Sequence, residues 1–222
     1  MSTILILGAS RGIGLEFVRQ YRAVGERVIA TARSSDGLQA LEALGAQTLM
    51  LDVAQPASIS RLAWSLDAEK IDVAVYVAGV YSTAGATEPP TQQDFDRVMR
   101  TNVLGAMQAI PQVGPLVQAA GGRFVFITSG MGHIAGTDSS FGWLYKASKA
   151  ALNMVVKAAA SDYPGATFLA MSPGWVRTDM GGPGAPLTVD RSVSSMRKAI
   201  AAAGPRQSGA FLDHDGTAFQ GW

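Results

Sequence analysis

The stretch that decides the fold runs from residue 3 to residue 14 and reads TILILGASRGIG. A short apolar, β-branched run is followed at once by Gly8, Gly12 and Gly14, and the next residues have helical spacing. A strand, a glycine turn and a helix in this order bring backbone N–H groups and a helix N-terminus to one point, where they favour an anion such as a pyrophosphate. The glycine spacing alone is weak evidence in a chain with 25 glycines, and an ordinary βα turn is the alternative.

The same alternation continues along the chain. Seven short apolar runs are predicted as strands, over residues 3–7, 27–32, 47–51, 73–77, 123–128, 167–171 and 210–212. Helical spacing predicts helices over residues 13–21, 38–44, 57–66, 92–120 and 143–161. Pro111 and Pro115 predict a kink or break in the fourth helix, and Gly and Pro predict loops over 79–90 and 173–186.

Continuous apolar runs suit strands that are covered on both faces. We therefore expect an α/β protein, in which one doubly wound (Rossmann) parallel sheet of about seven strands carries helices on both faces. At 222 residues, a single domain over residues 1–222 is the default. In such a sheet the ligand binds at the carboxyl ends of the strands.

Composition excludes several classes of function. The net charge is +1, and the 18 basic and 17 acidic residues are spread along the chain, so neither nucleic acid nor a membrane is expected as a partner. The absence of cysteine and the presence of only two histidines argue against disulfides and a metal site. The first apolar run ends at Gly8, too early for a signal peptide or a membrane span, so we expect a cytoplasmic protein.

The end of the second predicted strand bears on the choice of cofactor. Chains that bind NAD carry an acidic residue there for the ribose 2′-hydroxyl, whereas this chain has Arg33. Arg33 and Arg11 offer planar cations suited to a 2′-phosphate, so we expect NADP(H) to be preferred, with NAD(H) possible. The alternative is that both arginines are solvated surface charges. Asp52, after the third strand, is either an acceptor for the adenine amino group or a residue that begins a helix.

Tyr145 and Lys149 lie four residues apart in a predicted helix and so project from one face. A tyrosine pKa is near 10, and an ammonium group about 4 Å away would lower it towards neutrality. Ser129 ends the fifth predicted strand, where its hydroxyl could hold a carbonyl substrate. Asn102 interrupts a helical stretch and is either a member of a proton relay towards Lys149 or a buried structural asparagine. The alternative for the Tyr145 and Lys149 pair is a solvated helix surface.

The ordered set of motifs resembles the short-chain dehydrogenase/reductase family over nearly the whole chain. The set comprises the glycine turn, Asp52, Ala78-Gly79, Asn102, Ser129, Tyr145, Lys149 and Pro173-Gly174. The interval between Ser129 and Tyr145 and the ending from Gly209 to Trp222 are similar to the C-factor and sniffer-like carbonyl reductases. The resemblance implies hydride transfer between a nicotinamide and a carbonyl or alcohol, with Tyr145 as general acid or base, Ser129 orienting the substrate, and Lys149 binding ribose and lowering the tyrosine pKa. Asn102 would be a relay member.

The resemblance also implies a set of cofactor contacts. These are Gly8, Ser10, Arg11, Gly12, Ile13, Gly14, Arg33, Asp52, Val53, Val77, Ala78, Gly79, Tyr145, Lys149, Pro173, Gly174, Val176 and Thr178. One departure stands out, because the family usually has Asn-Asn-Ala-Gly where this chain has Tyr76-Val77-Ala78-Gly79. That departure puts sheet stability or cofactor affinity in doubt.

The family's dimers and tetramers lead us to expect a homodimer or homotetramer, paired through the helices of residues 92–120 and 143–161. The expected substrate is a small-molecule carbonyl or alcohol, and apolar side chains that could wall its pocket are Met131, Phe141, Trp143, Trp175 and Met180. Core or lid packing is the alternative for these side chains. The alternative function is a dinucleotide-binding sensor or signalling protein with little turnover. A sugar-nucleotide epimerase ranks last, because few residues follow the loop of residues 173–186.

Overall fold

The predicted strands form one sheet in which all adjacent strands are parallel. The computed structural model describes residues 1–67 and 69–222. The strands are β1 (Thr3–Leu7), β2 (Arg27–Ala32), β3 (Gln47–Met50), β4 (Val73–Tyr76), β5 (Arg123–Ile127), β6 (Thr167–Met171) and β7 (Ala210–Leu212). Their order across the sheet is β3-β2-β1-β4-β5-β6-β7, so the predicted seven-stranded doubly wound fold is confirmed.

The core lies in two layers, one on each face of the sheet. Side chains alternate along a strand, so Leu5 and Leu7 of β1 enter one layer while Ile4 and Ile6 enter the other. All four are buried. Burial on both faces explains why the strand sequences are continuous apolar runs rather than alternating ones.

Helices cover both layers. The layer of Leu5 and Leu7 packs against α3 (Pro56–Ile59), α4 (Leu62–Ser65), α6 (Gly105–Ala119) and α7 (Trp143–Ala159). The layer of Ile4 and Ile6 packs against α1 (Gly12–Ala23), α2 (Ser35–Glu42) and α8 (Val189–Ala202). A further helix, α5 (Gln92–Met99), precedes α6. Within the two described ranges, no helix is both long enough and apolar enough to cross a membrane.

Two helical regions differ from the sequence prediction. Helix α8 was not predicted, because its inward side chains (Val193, Met196 and Ile200) are sparse in an otherwise polar and small-residue segment. Its start is set by Thr188, whose side chain accepts a hydrogen bond from the Arg191 N–H. The single helix predicted over residues 57–66 is instead the short pair α3 and α4.

The predicted break at the prolines is wrong. Pro111 and Pro115 lie inside α6, which continues through both. Each proline removes a backbone hydrogen bond and costs about 3 kcal/mol in a helix interior, but α6 buries a whole apolar face against the sheet. The irregularity lies earlier, where residues Arg100–Leu104 form one π-helical turn between α5 and α6.

Candidate active site

A cleft of about 440 Å³ opens at the carboxyl ends of the strands, within the size range of small-molecule and cofactor sites. It is bounded by the glycine turn, the ends of the central strands, the start of α7 and the loop after β6. Fifteen of the predicted cofactor residues line it: Gly8, Ser10, Arg11, Gly12, Ile13, Arg33, Asp52, Val53, Val77, Ala78, Gly79, Tyr145, Lys149, Pro173 and Thr178. The sequence therefore located the cleft, although three predicted residues, Gly14, Gly174 and Val176, do not line it.

The glycine turn is tight enough to exclude side chains. Gly8 has a φ of 90°, and a Cβ atom there would lie 2.8 Å from the Ala78 backbone nitrogen. A Cβ atom on Gly14 would lie 2.3 Å from the Gly8 carbonyl oxygen, so Gly14 serves close packing rather than the cleft surface. Helix α1 begins at Gly12 with no acidic residue in its first turn. Its N-terminus therefore favours an anion at the cleft.

The two predicted cations, Arg11 and Arg33, both line the cleft and are exposed. The Arg11 guanidinium lies 3.3 Å from the Asp179 carboxylate on the loop after β6, and both side chains are mostly solvent-exposed. Such a pair is weak and can exchange for another anion. Asp52 does not begin a helix, because the residue that precedes α3 is Gln55. Its carboxylate accepts a hydrogen bond from the Ala54 N–H at 2.9 Å, and it lines the cleft.

Tyr145 and Lys149 are buried on the inner face of α7, with 6% and 3% of their surfaces exposed. The Lys149 Nζ donates a hydrogen bond to the Ile127 carbonyl oxygen at 2.9 Å and lies 5.6 Å from the centre of the Tyr145 ring. Burial lowers the pKa of Lys149 to about 8. The Tyr145 ring makes an edge-on contact with Tyr81, with ring centres 4.7 Å apart.

We expected Lys149 to lower the pKa of Tyr145, and for the protein without nucleotide this expectation is wrong. Burial raises the pKa of Tyr145 to about 12, and a hydrogen bond with the Ser129 side chain opposes this rise only in part. The Lys149 ammonium group is directed to the Ile127 carbonyl, so it does not offset the desolvation of the phenol. Tyr145 is therefore protonated at neutral pH, which is the state of a proton donor.

Ser129 and Asn102 lie behind the cleft surface. The Ser129 Oγ accepts a hydrogen bond from the Met131 N–H at 3.1 Å, and the Ser129 side chain is the group that lowers the pKa of Tyr145 against the effect of burial. Asn102 is fully buried in the π-helical turn. Its Oδ1 accepts from the Val80 N–H at 2.8 Å, and its Nδ2 donates to the Val80 carbonyl at 2.9 Å and to the Ser148 Oγ at 3.0 Å. These contacts are those of a buried structural asparagine, and a part for Asn102 in a relay towards Lys149 stays a prediction.

The segment after β6 is divided between the cleft and the interior. Pro173 and Thr178 line the cleft, whereas Val176 is buried and forms an isolated bridge with Leu187. Gly174 has a φ of 74° and packs near His214, so it shapes the loop rather than the cleft surface.

Several cleft residues were not predicted. They are Ala32, Leu51, Val80, Thr101, Ile127, Thr128, Arg177, Asp179 and Val189. Most are direct neighbours of predicted residues at strand ends, so extending each motif by one residue would have found them. Tyr81, which contacts Tyr145, was also missed, and its only signal was an aromatic residue two positions after Gly79.

The five apolar side chains that were expected to wall one substrate pocket lie in different parts of the structure. Met131 and Trp143 line a second, more open cavity of about 710 Å³ beside α7, and Met180 lines the main cleft. Phe141 lies edge-on to Tyr81 with ring centres 6.5 Å apart, and the Trp175 indole donates to the Gly181 carbonyl at 2.9 Å. Tyr81 therefore packs on Tyr145 and Phe141 packs on Tyr81, and we call these two rings the aromatic wall beside Tyr145, although neither ring lines the main cleft.

Comparison with known proteins places this geometry in a family. The C-signal of Myxococcus xanthus is 37% identical over 150 residues, which cover 66% of this chain and 90% of that protein. The carbonyl reductase Sniffer of D. melanogaster superposes with a TM-score of 0.92 at 26% identity, with 100% of both chains covered. The NADPH bound carbonyl reductase from chicken fatty liver superposes with a TM-score of 0.91 at 29% identity, covering 100% of this chain and 99% of that one. Residues 2–185 match the family model of the short chain dehydrogenases, and the chain therefore belongs to that family.

Proposed function

We propose that this member of an oxidoreductase family is an NADP(H)-dependent carbonyl reductase or alcohol dehydrogenase, with Tyr145 as its general acid and base. The observation that carries the proposal is the buried Tyr145 phenol, protonated at neutral pH, at the edge of a cleft that is suited to a dinucleotide. Lys149 lies on the same helical face. The substrate is a small to medium apolar carbonyl or alcohol, in keeping with the Tyr81 and Phe141 wall.

The cleft residues fit a nicotinamide dinucleotide. A glycine turn in which a Cβ atom would clash with backbone, followed by a helix N-terminus, suits a pyrophosphate. Arg11 and Arg33 suit a 2′-phosphate, and the NADPH bound to the chicken carbonyl reductase supports the phosphorylated form. Lys149 would hold the nicotinamide ribose. When bound, the cofactor supplies hydride to a carbonyl carbon or accepts it from an alcohol.

The chain's own residues handle the proton. In reduction, the protonated Tyr145 hydroxyl donates its proton to the carbonyl oxygen, which Ser129 holds in place. Lys149, with its pKa near 8, can carry a proton to the phenol, and Asn102 supports the path through its contacts with Val80 and Ser148. A phenol that remains protonated at neutral pH favours the reducing direction.

The test is to measure oxidation of NADPH and of NADH with a panel of aliphatic and aromatic ketones and aldehydes, on the wild type and on Tyr145→Phe. We expect turnover with NADPH in the wild type and its loss in the variant, with cofactor binding retained. Full activity in Tyr145→Phe would remove the proposed role of the phenol.

The 37% identity to a protein named C-signal supports a second candidate, a dinucleotide-binding signalling protein with little turnover. Equal cofactor binding by wild type and Tyr145→Phe, with no turnover in either across the panel, would favour it.

We also propose that the chain is one cytoplasmic domain that forms a homodimer or homotetramer. Light scattering of the purified protein tests the assembly, and a monomer would contradict it.

A further inference from the structure

Tyr76 stands where the family resemblance leads us to expect an asparagine. It is the last residue of β4, it is fully buried, and its ring stacks on Phe126 with centres 5.9 Å apart. A buried phenol needs a hydrogen-bond partner, and the Tyr76 hydroxyl donates to the Thr101 carbonyl oxygen at 2.9 Å. Burial raises the pKa of Tyr76 well above its usual value, so the hydroxyl remains a donor.

The accepting carbonyl belongs to the π-helical turn Arg100–Leu104, and single π-helical turns occur frequently at functional sites. The carbonyl of Thr101 and the N–H of Asn102 form one planar peptide unit. A hydrogen bond to that carbonyl therefore fixes the orientation of the unit from which the Asn102 side chain projects.

Gly105 makes room for this contact. A Cβ atom on Gly105 would lie 2.5 Å from the Tyr76 hydroxyl oxygen and 2.7 Å from the Val53 carbonyl oxygen. The Tyr76 phenol therefore fits beside the start of α6 only because Gly105 has no side chain. Two residues that are distant in the sequence specify one hydrogen bond beneath the cleft.

The contact continues towards the proton donor. Asn102 binds both backbone groups of Val80 and the Ser148 hydroxyl, and the Ser148 Oγ donates to the Tyr145 carbonyl at 2.7 Å. A Cβ atom placed on Gly79 would lie 3.5 Å from both the Asn102 Oδ1 and the Lys149 Nζ. The Asn102 amide and the Lys149 ammonium group therefore face the same backbone position.

We propose that Tyr76 is a positioning residue for the proton path, because its hydroxyl sets the peptide unit of Thr101 and thereby the Asn102 amide. This inference rests on the proposed function for the parts given to Asn102 and Tyr145. Tyr76 itself touches neither substrate nor cofactor in this scheme. It occupies the position at the end of β4 where the family usually has an asparagine, and its hydroxyl forms a hydrogen bond with the π-helical turn.

Tyr76→Phe tests the proposal, because it removes the hydroxyl and keeps the stacked ring. We expect kcat to fall about fivefold, the factor that corresponds to one net hydrogen bond, while KM and the cofactor Kd change by less than about twofold. Tyr163→Phe is the matched control, since it removes a hydroxyl from another ring stacked in the same core layer, on Phe168. It should leave kcat unchanged.

Two further measurements separate positioning from a general loss of stability. In an Asn102→Ala background, Tyr76→Phe should cause no additional loss of kcat, because its effect passes through Asn102. Hydrogen exchange of the Val80 N–H, which is bonded to the Asn102 Oδ1, should become faster in Tyr76→Phe but not in Tyr163→Phe.

The proposal is overturned if kcat losses from Tyr76→Phe and Asn102→Ala are independent, or if Tyr76→Phe changes neither kcat nor Val80 exchange. Absence of turnover in the wild type would instead contradict the proposed function. The Val80 exchange measurement would still decide whether Tyr76 positions Asn102, so the two failures are distinguishable.

Discussion

The two halves of the cleft use charge in opposite ways. Around the glycine turn, the cations Arg11 and Arg33 are exposed, and Arg11 is only loosely paired with Asp179. Around α7, the cation that lines the cleft is Lys149, which is buried and donates a hydrogen bond to a backbone carbonyl. An exposed cation is screened by salt and contributes to binding affinity, whereas a buried cation has a shifted pKa and contributes to chemistry.

The difference also concerns how each half is assembled. The glycine turn is one continuous segment whose backbone forms the proposed cofactor-binding surface. The half around α7, to which we assign the chemistry, draws on residues from β4, β5, the π-helical turn and α7, joined by buried hydrogen bonds. Changes in the first half should therefore alter cofactor affinity, and changes in the second should alter turnover and pH dependence.

The largest expected effect is that of Lys149→Met. Removing the buried ammonium group should lower kcat about 100-fold, within the range for loss of one group in proton transfer, and change the cofactor Kd much less. Steady-state kinetics and fluorescence titration with NADPH check this. Lys146→Met, on the same helix but outside the cleft, is the control and should behave as wild type. A Lys149→Met variant with normal kcat and weakened cofactor binding would contradict the assignment of turnover to the half around α7.

Lys149 should also make stability depend on pH. Its folded pKa of about 8 lies below the unfolded value of 10.5, so the unfolded chain binds more protons between these values. Stability of the protein without added nucleotide should therefore rise with pH, by about 1.5 kcal/mol from pH 8 to pH 9.5, and this gain is lost as pH falls back. The raised pKa of Tyr145 acts only above about pH 10, where the folded chain binds more protons than the unfolded chain and stability falls as pH rises. Urea unfolding of wild type and Lys149→Met checks this, and parallel curves for both would contradict it.

The exposed half should show a moderate effect that depends on salt. Arg33→Ser should weaken NADPH binding about tenfold and leave NADH binding unchanged, because only the 2′-phosphate loses a partner. The effect should shrink as ionic strength rises. Titrations at two salt concentrations test this, with Arg206→Ser, shortly before β7, as the control. Equal losses for both nucleotides would show that Arg33 does not distinguish them.

The smallest effect should come from the aromatic wall. Tyr81→Leu removes the edge-on contact with Tyr145 and should lower kcat about threefold, since such pairs contribute about 0.5 to 1.5 kcal/mol. Tyr81→Phe retains the ring and should keep wild-type turnover. If Tyr81→Phe is as impaired as Tyr81→Leu, the hydroxyl near Met131 matters more than the ring.

Short sequence patterns predicted correctly those features that depend only on neighbouring residues. The run of residues 3–14 determined a strand, a turn without room for side chains and a helix start, because glycine conformation and strand burial follow from the chain itself. The helical spacing of Tyr145 and Lys149 likewise determined that both share one face of α7.

Only the tertiary structure decided how those groups are solvated and what they touch. The Tyr145 pKa rises because surrounding elements bury the phenol, and α6 continues through Pro111 and Pro115 because its apolar face packs on the sheet. Helix α8 forms on a sparse apolar stripe for the same reason. The bond from Tyr76 to Thr101 joins residues 25 positions apart. Burial and long-range hydrogen bonds depend on which distant segments meet, and no local pattern encodes that.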